Sequence, residues 1–273
     1  MRPLDFGFIP CGKVEAMTDI NTDTYFEALE RTGITQHPGG IDATHRLAQR
    51  IGVTLGQRLL DIGCGTGYTA CSLAKEYGVE VVAVDLRPGI LEWASQRVRQ
   101  EGAEGRVTLR VADAQALPFQ ANAFDTALAE SVLVFCDQER AASEMHRVLK
   151  PGGRFGSNEL TVLKPLPIEV REVLVQIGMG SSFLSEQEWR AVFKEAGFVE
   201  ISSTTAPISL LEAAVLTPLR TDGIRKYLSS LLRNIADPNL RTFATSRISW
   251  RMMRLLFGSY FGYGLYAGKK AER

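Results

Sequence analysis

Arg58-Leu-Leu-Asp-Ile-Gly-Cys-Gly-Thr-Gly-Tyr-Thr-Ala-Cys71 is the stretch that decides the reading of this chain. An apolar strand runs into a loop with glycines at 63, 65 and 67, and a helical pattern starts directly behind it. The next apolar run, Val81-Val-Ala-Val-Asp85, ends in a carboxylate. This order is that of a nucleotide-handling βαβ unit. Glycines let the backbone turn tightly and approach a ligand, and a carboxylate ending the second strand can accept both ribose hydroxyls. A dinucleotide fingerprint, G-x-G-x-x-G, would put its third glycine where this chain has Tyr68. Asp61, just before the loop, would repel a pyrophosphate and would attract an ammonium group.

Asp61-Ile-Gly-Cys-Gly-Thr-Gly67 resembles motif I of the class I S-adenosylmethionine-dependent methyltransferases. The resemblance continues in order over residues 58–160. Val81 to Leu86 is similar to the second strand of that family, and Val111-Ala-Asp113-Ala114 with Leu117-Pro118-Phe119 to the third strand and the turn over the adenine. Phe124 to Ser131 resembles strand four, and Arg147-Val-Leu-Lys-Pro-Gly-Gly153 the turn into strand five. The wording is nearest the small-molecule branch that includes the ubiquinone and menaquinone C-methyltransferases. The resemblance implies S-adenosylmethionine as cofactor, S-adenosylhomocysteine as product and a small-molecule acceptor. It also implies a cofactor site made of Asp61, Gly63, Cys64, Gly65 and Gly67, then Asp85 and Leu86 at the ribose, Asp113 and Ala114 at the adenine, and Glu130 at the end of strand four. Tyr25 either covers the methionine tail or belongs to the core face of its own helix. A nicotinamide-dependent oxidoreductase and a non-catalytic cofactor-binding module are the alternatives.

Composition sets the wider frame. A chain of 273 residues suits one large α/β domain with an elaboration. The formal net charge of +0 gives no support for nucleic-acid binding. The amino terminus lacks the continuous apolar core of a signal peptide, and no apolar run approaches the ~20 residues of a membrane span. Cys11, Cys64, Cys71 and Cys136 form no C-x-x-C pair, so no metal site and a reduced, cytoplasmic setting are expected.

Strand–helix alternation implies an α/β fold: a Rossmann-like, mostly parallel seven-stranded sheet with helices on both faces. The family resemblance adds a last strand inserted antiparallel, at Tyr263-Gly-Leu-Tyr-Ala-Gly-Lys269, and hence a helical insertion between strands six and seven. Four regions follow: an amino-terminal helical segment over the site (1–52), the cofactor-binding core (53–206), the insertion as a lid (207–258) and the last strand (259–273). Helices are expected at about 42–51, 68–77 and 138–149, and Ser185-x-x-Glu188 is a capping box opening another.

Three residues are candidates for a general base. His37 sits in His-Pro-Gly-Gly, ahead of the helix leading to strand one, and reads equally as a loop histidine bonded to backbone. Glu130 ends strand four at the ligand-binding edge of such sheets. Glu159 follows in strand five's region, where Asn158-Glu159 reads also as a loop-binding pair. Ala129-Glu-Ser-Val132 stands where amino-modifying nucleic-acid methyltransferases carry Asn/Asp-Pro-Pro-Tyr, which argues against a base-amino acceptor. The insertion holds eight Arg/Lys between 220 and 258, and Arg247, Arg251 and Arg254 share one helical stripe. That stripe reads as a solvated face, as a contact for an anionic acceptor, or as a peripheral contact with an anionic membrane surface.

Overall fold

The computed structural model describes residues 27, 30–33, 37–168, 183–208, 216–236 and 260–272. Tyr25 and the arginine stripe at 247, 251 and 254 lie outside the described residues.

Five parallel strands form the sheet's first part: β1 (Arg58–Ile62), β2 (Glu80–Asp85), β3 (Val107–Val111), β4 (Phe124–Glu130) and β5 (Leu149–Val162). β7 (Phe198–Pro207) and β8 (Phe261–Lys270) complete it, in the order β3-β2-β1-β4-β5-β8-β7. β8 runs antiparallel to both of its neighbours, as the family resemblance implied. A two-residue β6 (Leu184–Ser185) beside β5 makes an eighth strand. It carries too few residues for any periodic signal, and its serine also caps the following helix.

Alternation of side chains across the strands sorts the core into two layers. Leu59, Val81, Ala83, Leu128 and Leu265 pack on one face against helices α1 (Gly40–Arg50), α2 (Tyr68–Tyr77) and α3 (Pro88–Gln100). Leu60, Ile62, Val82, Val84 and Ala127 face the other way, towards α4 (Gln138–Val148) and α5 (Glu186–Glu195). The helices keep the expected places. Pro88 opens α3, and Ser185 and Glu188 form a full capping box at α5. β5 is longer than expected and contains Glu159, because β8 pairs along it from Arg154 to Val162.

The described part of the insertion is helix α6 (Thr217–Ala236), broken at Gly223 where φ is 77°. Arg97 of α3 fastens it. The guanidinium donates to Thr221 O (3.1 Å), to Thr66 O in the glycine loop (3.1 Å) and to Glu101 (3.3 Å), and it pairs with the fully buried Asp222. Lys226 reaches the same carboxylate at 3.3 Å. This part of the insertion therefore docks on α3 through Arg97, the residue that also holds the glycine loop at Thr66.

Candidate active site

β1 lies between β2 and β4, so the chain's crossovers diverge on either side of it. Open α/β sheets bind their ligands at the carboxyl ends of strands flanking such a switch point. A cavity of about 410 Å³ opens there, lined by Asp61, residues 63–66 of the loop, Asp85, Asp113, Glu130 and His37 among others, while Gly67 packs against Ala94 of α3.

The glycine loop is shaped by sterics and by Asp85. Gly63 has φ 70°, and a side chain there would run into Val132, whose nearest atom lies 2.5 Å from where Cβ would sit. Gly65, at φ 52°, has open space around it, so its backbone conformation and the ligand's approach are what select glycine. The Asp85 carboxylate accepts the N–H of Gly65 (3.0 Å) and of Arg87 (3.1 Å), joining the loop to the end of β2. Burial raises the Asp85 carboxyl above the usual carboxylate range, opposed by those backbone donors.

Asp61 is 2% exposed, and one of its carboxylate oxygens has no hydrogen-bond partner among the described residues. Burial first, then Glu130 and Asp85, push its carboxyl well up. A buried carboxylate in this state is electrostatically unfinished, and a cationic ligand group would complete it.

Asp113 turns the chain after β3, accepting from Gln115 N at 2.8 Å. Ala114 is buried under it, and Leu86 stands 61% exposed at the rim. Cys64 packs in the loop with its thiol raised by burial, and burial lifts the Cys136 thiol to about 12, so neither serves as a thiolate at neutral pH. Among the described residues, Arg87 is the one lysine or arginine lining the cavity, and it pairs with Glu30 at 3.4 Å.

The three candidate bases separate. His37 and Glu130 both line the cavity, their side chains 3.9 Å apart. Glu159 does not line it. Its carboxylate sits beneath the turn after β4, accepting Leu133 N and Val134 N (3.2 Å each) and the Ser157 hydroxyl (3.1 Å). Burial pushes its carboxyl up to about 8. The Glu159 carboxylate thus binds the backbone of the loop after β4, apart from the cavity wall that His37 and Glu130 share. Sequence reasoning missed Thr44, Thr69 and Asn158, which hold Glu130 and the His37 loop. No motif marks them, since each acts through a partner 61 to 120 residues away.

Fold and cavity together define a protein of the Rossmann-like class with its ligand site at the carboxyl ends of β1, β2 and β4. Comparison with known proteins agrees. The methyltransferase-domain family matches residues 60–156. Uncharacterized methyltransferase YodH of Bacillus subtilis is 33% identical over 175 residues, covering 64% of this chain and 74% of that protein. Methyltransferase GfsG of Streptomyces halstedii is 34% identical over 173 residues, covering 60% of this chain and 62% of that one. Among solved structures, phosphoethanolamine N-methyltransferase 2 of Haemonchus contortus, with phosphomonomethylethanolamine and S-adenosylhomocysteine, superimposes with TM-score 0.71 at 26% identity. That match covers 93% of this chain and 59% of the nematode protein, so the chain spans a little over half of that relative's length. The chain belongs to the S-adenosylmethionine-dependent methyltransferases, and S-adenosylmethionine is its cofactor.

Proposed function

We propose that this protein transfers the methyl group of S-adenosylmethionine to a small-molecule acceptor. The observation that carries this reading is the unpaired, buried oxygen of Asp61 in a cavity walled by carboxylates, which suits a cationic nucleoside and opposes a pyrophosphate. In this reading Asp61 takes the cofactor's amino group, Gly63, Cys64, Gly65 and Gly67 give it backbone room, and Asp85 holds the ribose. Leu86, Asp113 and Ala114 receive the adenine side. When bound, the cofactor supplies an already activated sulfonium methyl and leaves as a neutral thioether. The chain's own work is to hold the acceptor in line, exclude water and take a proton where the acceptor arrives protonated.

The cavity's carboxylates, with Arg87 already committed to Glu30, favour an uncharged or cationic acceptor over a phosphorylated one. The acceptor's cover is assigned to the amino-terminal segment (1–52) and the insertion (207–258), because the core motifs are spent on the cofactor. No helix among the described residues is long and apolar enough to cross a membrane. The free thiols of Cys64, Cys71 and Cys136 support a reducing, cytoplasmic setting.

Calorimetric titration with S-adenosylhomocysteine tests the reading. Saturable binding is expected, with thermal stabilisation by mass action and no comparable effect of NAD. Folded protein that shows no heat of binding at millimolar ligand would refute it.

A further inference from the structure

A buried polar atom without a partner marks a place where a ligand or a neighbour completes the bonding. His37 is 7% exposed, and neither ring nitrogen has a hydrogen-bond partner among the described residues. Its Nδ1 lies 3.9 Å from Oε1 of Glu130, with both side chains almost fully buried.

Both sides of that gap are anchored. The Thr44 hydroxyl on α1 sits 3.0 Å from each Glu130 oxygen, and the Thr69 hydroxyl on α2 donates to Oε2 at 2.8 Å. On the other side, Asn158 of β5 donates to Pro38 O at 2.7 Å, and Gly40 N to His37 O at 3.2 Å. Gly39, at φ 75°, sits against the Tyr263 ring of β8 with no room for a side chain. Three strands and two helices thus hold one imidazole beside one carboxylate at the cavity wall.

We propose that Glu130 is a positioning residue for His37, drawing the ring proton onto Nδ1 and leaving Nε2 bare towards an acceptor that arrives as a hydroxyl. This rests on the methyl-transfer reading and assigns its proton. Glu130's oxygens accept hydroxyl hydrogens from Thr44 and Thr69, and across the 3.9 Å gap its charge, rather than a hydrogen bond, acts on the ring of His37, which takes the proton. The acceptor's O–H bond breaks, and its proton passes to Nε2. The freed oxygen pair forms the bond to the methyl carbon, and the pair of the broken sulfur–carbon bond stays on sulfur. The imidazolium, stabilised by Glu130, returns the proton to water. A carboxylate orienting an imidazole in this way selects the tautomer needed for base catalysis.

Nitrogen-15 NMR of the full chain, labelled at histidine, tests this directly, since the sequence holds three histidines. The His37 signals are assigned by their loss in His37→Gln. In the wild type they should show hydrogen on Nδ1 and a bare Nε2. In Glu130→Gln, whose amide can donate to the ring, they should move to the Nε2–H form. Hydrogen on Nε2 in the wild type would overturn the proposal, whether or not the variant folds, and so would identical tautomers in the two proteins. S-adenosylhomocysteine titration of the wild type separates this from the parent reading. Loss of cofactor binding with the Nδ1–H tautomer intact would sink methyl transfer and leave the pairing standing.

Discussion

The two ends of the cavity are built on opposite principles. At the cofactor end, Asp61, the glycine loop and Asp85 come from 25 consecutive residues, and the loop's shape is a matter of backbone conformation and of the Asp85 carboxylate accepting the N–H of Gly65. At the other end, His37, Thr44, Thr69, Glu130 and Asn158 come from five separate elements, and every link is made by a side chain. A contiguous site is fixed by local chemistry. A convergent one exists only once the sheet has brought its parts together, and it is open to change without touching the cofactor.

The sharpest way to break the cofactor end is Asp85→Ala. It removes two backbone hydrogen bonds to a carboxylate along with the proposed ribose contact, each worth roughly 1.5–3 kcal/mol. Affinity for S-adenosylhomocysteine should fall by about a hundredfold or more in calorimetry, with the fold kept. Unchanged affinity would remove Asp85 from the site.

Arg97→Met tests whether the cofactor loop also depends on the insertion. It takes the guanidinium from the buried Asp222 carboxylate, which keeps Lys226 and the Thr221 hydroxyl, and breaking a buried pair costs roughly 3–5 kcal/mol, so a loss near the low end is expected in denaturant unfolding. Adding Asp222→Leu should recover much of it, since the stranded charge is then gone. A double variant no more stable than the single one would show that packing, not charge, holds α6.

Gly63→Ala probes backbone dictation alone. The left-handed conformation costs a side chain about 1–2 kcal/mol, and collision with Val132 adds to it. A drop in thermal stability is expected, part of which Val132→Ala restores. Full recovery would assign the whole cost to the collision, and none would assign it to the backbone.

A further effect concerns pH, beneath the turn after β4. Glu159 titrates near 8 when folded against a usual 4.5, so the folded state holds its proton more tightly. Its contribution is full below about 4.5 and is lost as pH rises through about 8. Unfolding measured across that window should therefore show a declining stability that Glu159→Gln flattens. An identical slope in the variant would place the titration elsewhere.

The legible and illegible parts of the site follow the same division. Asp61, Gly63 and Asp85 were readable because their spacing is itself the geometry: strand, tight turn, helix, strand. Glu130 was readable as a strand end, but its partners were not, since a threonine on α1 or α2 carries no sign of the carboxylate it will meet. The place of Glu159 was not readable, because chain order shows neither that β8 lengthens β5 nor that the turn after β4 folds back over it.

The sequence by itself determined the strand–helix alternation and the glycine loop, because hydrophobic alternation and backbone sterics act over neighbouring residues, while the antiparallel last strand and the cofactor followed from the family resemblance of its motifs. Only the tertiary structure decided that His37 faces Glu130 across 3.9 Å, that two threonines hold the carboxylate, and that α6 docks through Arg97. Those contacts join residues 61 to 125 positions apart, where no local pattern specifies a partner and burial alone brings the groups together.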